Sequence, residues 1–348
     1  YWVRREPFYN DVILSLGGSA RLSLLVNGPL MATCCSDVVM QVPAAADGVE
    51  KRRMDSMREL RVRSEITLRA GMPEVEVHVT LDNCVEDHRL RVMFPTGLSD
   101  ATHVAAGGHF NIERRPARIT RPQDNQYYED MQTQPHQRFV ALDDGKHGLA
   151  IMNDCLTEYE VLDDPERTIA LTLLRCVKNE LCAEFRTANS FPSQKGGQCL
   201  GRHEYRYVIA PYGGSLHDSA IPQRADRVNT PIMMAQTMSH RGDIPKTGSF
   251  FSLTPDLLRL TAFKTAENGE GVVIRFYNPT DTQVEGRLHF SSKMRSAWRL
   301  HMNEEKICPL ELGASGYEVA IPVLPRKIVT ILSVFDAGVC PNPRNLQP

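Results

Sequence analysis

The sequence lacks most of the devices that would tie it to a small set of functions. No run approaches the ~18 apolar residues of a membrane span. Tyr1-Trp2-Val3-Arg4-Arg5-Glu6 has no apolar core behind it, as a secretory leader would. No basic excess exists: 40 Lys and Arg stand against 42 Asp and Glu, a net charge of -2, which argues against a nucleic-acid-binding surface. No Cys-x-x-Cys occurs among the nine cysteines, and adjacent Cys34 and Cys35 would face opposite sides of a strand. An odd, scattered set is neither a disulfide framework nor a zinc ribbon; it reads as free thiols in a reducing cytoplasm. Gly-x-Ser-x-Gly, the P-loop and Gly-x-Gly-x-x-Gly are absent too.

What is present is alternation. Leu60-Arg61-Val62-Arg63-Ser64-Glu65-Ile66-Thr67-Leu68-Arg69 and Glu74-Val75-Glu76-Val77-His78-Val79-Thr80 each place apolar residues on one face of a strand. Segments 169–174, 203–209, 272–277 and 328–332 read the same way. The best helix candidate is Gly48 to Leu60, charged nearly all round; a loop is the alternative. Long loops are expected at Ser99 to Gln132 and Ser190 to Gly201. Gly and Pro crowd the stretch from Ala210 to Leu253, which marks a boundary. The architecture expected is all-β, in two sandwiches.

The titratable residues offer little local chemistry. His103 with His109, and His136 with His147, have no metal-site spacing. Asp143-Asp144 before Gly145, and Asp163-Asp164 before Pro165, are turn chemistry. Glu158 and Glu160 share a strand face, as an acid and base pair would, but a solvated face explains them as well. Cys199 has only Arg202 and His203 nearby to activate it. The consecutive stretches Asp124–Asp130 and Gln132–Arg138 mix amides, carboxylates, Arg, His and Tyr, a composition suited to sugar hydroxyls and also to ordinary wet loops.

Five collinear strings go further. Leu81-Asp82-Asn83 followed by Glu86-Asp87-His88-Arg89-Leu90-Arg91-Val92-Met93-Phe94-Pro95-Thr96-Gly97 resembles a segment of the bacterial α-mannosidases of glycoside hydrolase family 38. Asp144-Gly145-Lys146-His147-Gly148-Leu149-Ala150-Ile151-Met152-Asn153 is similar to a second segment. Gly197-Gln198-Cys199-Leu200-Gly201 with His203-Glu204-Tyr205 resembles a third. Phe276-Tyr277-Asn278-Pro279-Thr280 with Val284-Glu285-Gly286, and then Asn303-Glu304-Glu305, resemble the family's C-terminal sandwich.

The resemblance implies a large galactose-mutarotase-like β-sandwich (supersandwich) over 1–235, a linker at 236–249, a small C-terminal β-sandwich over 250–336 and a tail at 337–348. It implies that the chain begins just inside the large sandwich, consistent with a start at Tyr1 rather than Met. The zinc site and the nucleophile then belong to an N-terminal catalytic domain upstream, and this fragment holds no catalytic residue, no metal and no cofactor of its own. The expected partners are that domain and a mannose-containing glycan, with neither nucleic acid nor membrane. The surface left uncovered should be apolar, or should make contacts between copies in a homo-oligomer.

Candidates for the substrate rim follow residue by residue: Gln134, where animal relatives place a Tyr, then Asp144, Lys146 and His147 of the second segment, and Gln198 and His203 of the third. Arg89 and Arg91 read as a polar strand face. Two other functions compete with a mannosidase fragment. One is a carbohydrate-binding or scaffold module without hydrolysis. The other is a mutarotase-like epimerase with Glu158 and His147 as base and acid.

Overall fold

The structure is a computed structural model and describes residues 12–47, 52–118, 132–177, 179–182, 187–190, 195–239, 241 and 247–336. The chain divides into two compact units, residues 1–107 with 113–231, and residues 232–348 with 108–112.

The first unit contains, in chain order, β1 (Ser19–Asn27), β2 (Met31–Pro43), β3 (Ala46–Asp47), β4 (Arg52–Arg53), β5 (Met57–Arg69), β6 (Val75–Asn83), β7 (Arg89–Phe94), β8 (His103–Gly107), β9 (Ile112–Pro116, its first residue clustering with the second unit), β10 (Gln134–Pro135), β11 (Phe139–Asp143), β12 (His147–Asp154), β13 (Glu158–Val161), β14 (Ile169–Arg175), β15 (Asn179–Cys182), β16 (Thr187–Ser190) and β17 (Gly201–Gly213). Nine of these form one antiparallel sheet in the order β1-β2-β5-β6-β17-β12-β11-β8-β9. Four form a second, β10-β13-β14-β7.

The period-two pattern determines which faces meet. Val77, Val79, Val140, Leu142, Ile151 and Tyr207 of the large sheet are buried with Phe94, Tyr159, Val161, Ile169 and Leu171 of the small one. Phe94 and Tyr207 meet edge to face at 5.5 Å between centroids.

Nine strands cannot be covered by four, and the mismatch shows in one row of paired residues. Val77 pairs with Ile66, Ile66 with Cys34 and Cys34 with Leu24. Val77 is 4% exposed, Ile66 and Cys34 are half-buried, and Leu24 is 61% exposed.

The segment expected to be helical is strand in its described part: β4, then the start of β5. From Leu60 the apolar residues alternate with charges, so Arg63 reaches Asp37 and Glu65 on the outer face; β5 pairs with β2 along its whole length and with β6 from Val62 to Leu68. In 57–60, ladder pairing with β2 overrides helix propensity. The expected loop at Ser99 to Gln132 contains β8 and β9 in its described part.

The one described α-helix, α1 (Ile221–Asn229), lies where Pro222 reads as a loop signal. Proline in the first turn is instead a helix start, and Ile221 and Ala225, one turn apart, are both buried. Arg224 of α1 is paired with the buried carboxylate of Glu74.

The second unit is a smaller sandwich. Its strands are β18 (Phe251–Thr254), β19 (Arg259–Thr265), β20 (Val272–Tyr277), β21 (Val284–Phe290), β22 (Met294–Leu300), β23 (Lys306–Leu310), β24 (Glu318–Val323) and β25 (Ile328–Phe335). They form sheets β18-β21-β24 and β19-β20-β25-β22-β23, packed through Ile274, Phe276, Leu288, Phe290, Val319, Ile321 and Ile331. Gly286 sits in tight packing, since a Cβ there would lie 3.0–3.3 Å from Leu258, Val323 and Phe276 side chains.

Its corner after β20 is held by Asn278, which is fully buried. The amide nitrogen donates to the carbonyls of Thr282 (2.7 Å), Val323 (3.2 Å) and Leu324 (3.3 Å), and the amide oxygen accepts from the Thr280 N–H (2.9 Å). Asn278→Ala strands these groups away from water. It is expected to destabilise this unit by about 2–4 kcal/mol in urea unfolding, and a loss below about 0.5 kcal/mol would contradict the role.

Candidate functional site

The second family-like string forms the β11–β12 hairpin, and most of it is explained by the turn. Asp143 Oδ1 accepts from the Gly145 N–H (3.2 Å), and Asp144 Oδ1 accepts from the N–H groups of Lys146 (2.8 Å) and His147 (2.7 Å). Those backbone donors, His147 first, hold the Asp144 carboxyl below the usual carboxylate range. Gly145 has φ +86°, a conformation that favours glycine. Tyr212, opposite Gly148 on β17, lays its ring where a Cβ on Gly148 would be, at 2.2–2.7 Å, and its hydroxyl donates to Asp143 Oδ2 (3.1 Å). Burial first, and then Asp143, push the Tyr212 phenol up, so it stays a donor.

Two side chains of the string are not consumed by the turn. Lys146 is exposed, and His147 is 79% exposed with its Nδ1 4.0 Å from Asp144 Oδ2. The hairpin therefore fixes a backbone that holds an ammonium and an imidazole out in water.

Gln134 lies in the other sheet, on β10, paired with Tyr159 of β13. Its position is set by its neighbour but one. His136 is buried, ring edge against Tyr159 at 5.4 Å, and its Nε2 lies 2.7 Å from Asn153 Nδ2. Asn153 is fully buried, and its Oδ1 accepts from the Leu156 N–H (3.2 Å), so its amide nitrogen must be the donor to His136. Burial, and then the Arg115 guanidinium, lower the His136 pKa to about 4.

Gln198 and His203 belong to a third place. Gln198 is fully buried; its Oε1 accepts from the Asp87 N–H and its Nε2 donates to Asp87 Oδ1, both at 2.8 Å. Buried Asn83 donates to the carbonyls of Gln198 (3.1 Å) and Cys199 (2.9 Å), while His203 Nε2 donates to Cys199 O (2.7 Å). Cys199 has φ +49° within this clasp. The geometry ties a glycine-rich turn to the end of β6.

The candidates thus occupy three places. His147 pairs with Gly213, whereas His203 stands ten residues away along β17, roughly 33 Å at ~3.3 Å per residue. Glu158 and Glu160 belong to an ion-pair lattice on the outer face of the small sheet. Arg91 meets Glu160 at 2.8 Å, Arg89 and Arg175 meet Glu158 at 3.5 and 3.3 Å, and the Thr172 hydroxyl donates to Glu158 at 2.8 Å. Glu158 is therefore placed in a different sheet from His147, and nothing joins the two as a base and acid pair.

Among the described residues, no group of three or more His, Cys, Asp or Glu is arranged to hold a metal. The polar stretch Asp124–Asp130 lies outside the described residues. Sequence reasoning missed Asn83 and Asn153. The available signal was an Asn closing an alternating strand, where a side-chain amide can replace a lost ladder partner.

Two outcomes follow from this geometry. Gly148→Ala should destabilise the first unit by more than about 2 kcal/mol, and Gly148→Ala combined with Tyr212→Ala by less than the sum, read from urea midpoints. His88 and His136 both titrate near pH 4 in the folded chain, each chiefly through burial, against about 6.5 when unfolded. The unfolded state binds these protons first. Stability is therefore full above about pH 6.5 and falls as pH drops toward 4. The unfolding midpoint should show that decline, His136→Gln should flatten it, and an unchanged slope would contradict the assignment.

Comparison with known proteins adds the family. Residues 32–180 match the glycosyl hydrolases family 38 C-terminal domain, and residues 257–331 match the glycosyl hydrolases family 38 C-terminal beta sandwich domain. A putative mannosylglycerate hydrolase of Halalkalibacterium halodurans is 29% identical over 326 residues, covering 90% of this chain and 34% of the relative. Human alpha-mannosidase 2C1 is 29% identical over 283 residues, 79% of this chain and 24% of the relative. The crystal structure of an alpha-mannosidase from Enterococcus faecalis V583 superposes with a TM-score of 0.77 at 24% identity, over 92% of this chain and 35% of that one. The chain spans about a third or less of these proteins. It belongs to glycosyl hydrolase family 38, and what it carries of that family is the C-terminal β region.

Proposed function

We propose that this chain is the C-terminal part of a zinc-dependent, retaining α-mannosidase, acting on mannose-containing glycosides such as the mannosylglycerate named for its relative. The observation that carries the reading is the pair of family matches, one in each unit.

The site chemistry supports a supporting role over a catalytic one. A retaining glycosidase needs two carboxyl groups roughly 5–5.5 Å apart, one to attack the anomeric carbon and one to protonate the leaving oxygen. The carboxylate pairs in the described sites are engaged: Asp143 and Asp144 by the hairpin, Glu158 and Glu160 by Arg89, Arg91 and Arg175. The described residues also do not fit a zinc site. On this reading the nucleophile and zinc ligands belong to the part of the enzyme that this chain does not span.

Within the chain, Lys146 and His147 are the rim candidates the fold leaves free, because the hairpin needs its aspartates and glycines and not those side chains. Asp144 orients them. Gln134 remains a second rim candidate on β10, whereas Gln198 and His203 serve their own turn. The seven cysteines whose side chains are described are free thiols, which supports a reducing setting.

The test is turnover of an aryl α-mannoside and of mannosylglycerate, with and without added zinc. The chain alone should give none, and a longer polypeptide that contains it should turn over. In that enzyme Lys146→Ala with His147→Ala should raise KM more than it lowers kcat. Robust hydrolysis by the chain alone would overturn the proposal.

A further inference from the structure

The large sheet carries its apolar face past the point where the small sheet covers it. On the face that forms the core, Leu24 continues the row Val77, Ile66, Cys34, and Leu22 continues the row Val79, Ser64, Ser36. Leu24 and Leu22 are 61% and 70% exposed. Leu68, paired with Val75 at the same end, is 53% exposed, and Leu30 in the β1–β2 turn is exposed. All nine residues of β1 face water, and Arg21 is its only charged residue. A sheet edge with a single charged residue and no proline, bearing a row of leucines on its core side, is a surface that soluble proteins normally cover.

We infer that this overhang of β1, β2 and the end of β5 is the docking face for the remainder of a family 38 enzyme. The inference rests on the proposal that the chain works as one part of such an enzyme, and it names the surface. Three observations favour that occupant over a ligand or a nucleic acid. The face continues the hydrophobic core itself, row by row, so its complement is another packed apolar surface. On its core side the overhang presents no charged side chain that would orient a small molecule; the ion pairs of Arg63 with Asp37 and Glu65 lie on the opposite face. Relatives that match the chain over 79–90% of its length have about two thirds to three quarters of their own length outside the match.

The experiment compares amide hydrogen exchange of 19–27 in this chain with that in an active longer polypeptide containing it. Exchange should be fast in the chain alone, at micromolar concentration, and slowed at least about a hundredfold in the longer polypeptide. Leu22→Lys with Leu24→Lys should leave the melting temperature of the chain within about 2 °C, since both side chains already lie in water, and lower that of the longer polypeptide by at least about 5 °C. Ser23→Lys, on the opposite face of β1, should be neutral in both. Equal exchange in the two proteins, or an unchanged melting temperature, overturns the inference. So does concentration-dependent protection in the chain alone, which would assign the face to a second copy. Absent mannosidase activity in the wild-type longer polypeptide would sink the functional reading while leaving the exchange result interpretable.

Discussion

A sandwich built almost wholly of strands has one recurring difficulty: wherever a strand ends inside the protein, its backbone groups lose their ladder partners. In this chain the answer is a buried side-chain amide. Asn83 closes β6, Asn153 is the penultimate residue of β12, and Asn278 follows β20. Each is essentially out of solvent, accepts from a backbone N–H two or three residues on, and donates to a distant partner. Gln198, on the opposite side of the Asn83 clasp, accepts from the Asp87 N–H and donates to its carboxylate. An unpaired buried donor or acceptor costs roughly 1–3 kcal/mol, so each corner depends on its amide. Everything else, including the register that points leucines and valines inward, presupposes that the strands stop where these residues stop them.

This constraint changes the meaning of the recognisable strings. Asp-Asn before the Arg89 strand, the Asp-Gly-Lys-His-Gly hairpin, Gly-Gln-Cys-Leu-Gly and Asn-Pro-Thr are the corners and turns of the two units. Asn-Glu-Glu is another: Glu304, at φ +69°, caps the Glu267 N–H at 2.8 Å and pairs with Lys264 at 2.8 Å. Family resemblance here is a resemblance of architecture. Functional candidates are what remain once the turns are accounted for, and by that criterion Lys146 and His147 stay while Gln198 does not.

The strands were legible because their apolar residues alternate cleanly, as in 60–69 and 74–80, and alternation needs no tertiary information. Gly48 to Leu60 misled because the end of its charged pattern is the start of a strand, visible only once β2 pairs with it. The helix α1 was hidden by Pro222, which reads as a breaker until the residues after it are seen to bury one side. The candidate site was less legible than the fold. Local sequence says that Asp144 and Gly145 make a turn, but not that Gln134, His147 and His203 end up in different sheets or at opposite ends of one strand.

The fold of both units depends on this role of the corner amides. The most direct test of that role is site-resolved hydrogen exchange at the N–H groups of Val85, Leu156 and Thr280, which donate to the side-chain oxygens of Asn83, Asn153 and Asn278. They should exchange as slowly as ladder amides in the adjacent strands, through global opening of their unit. Exchange at the rate of open loops, with the neighbouring strands still protected, would show that the amides do not hold the corners and would contradict the central claim.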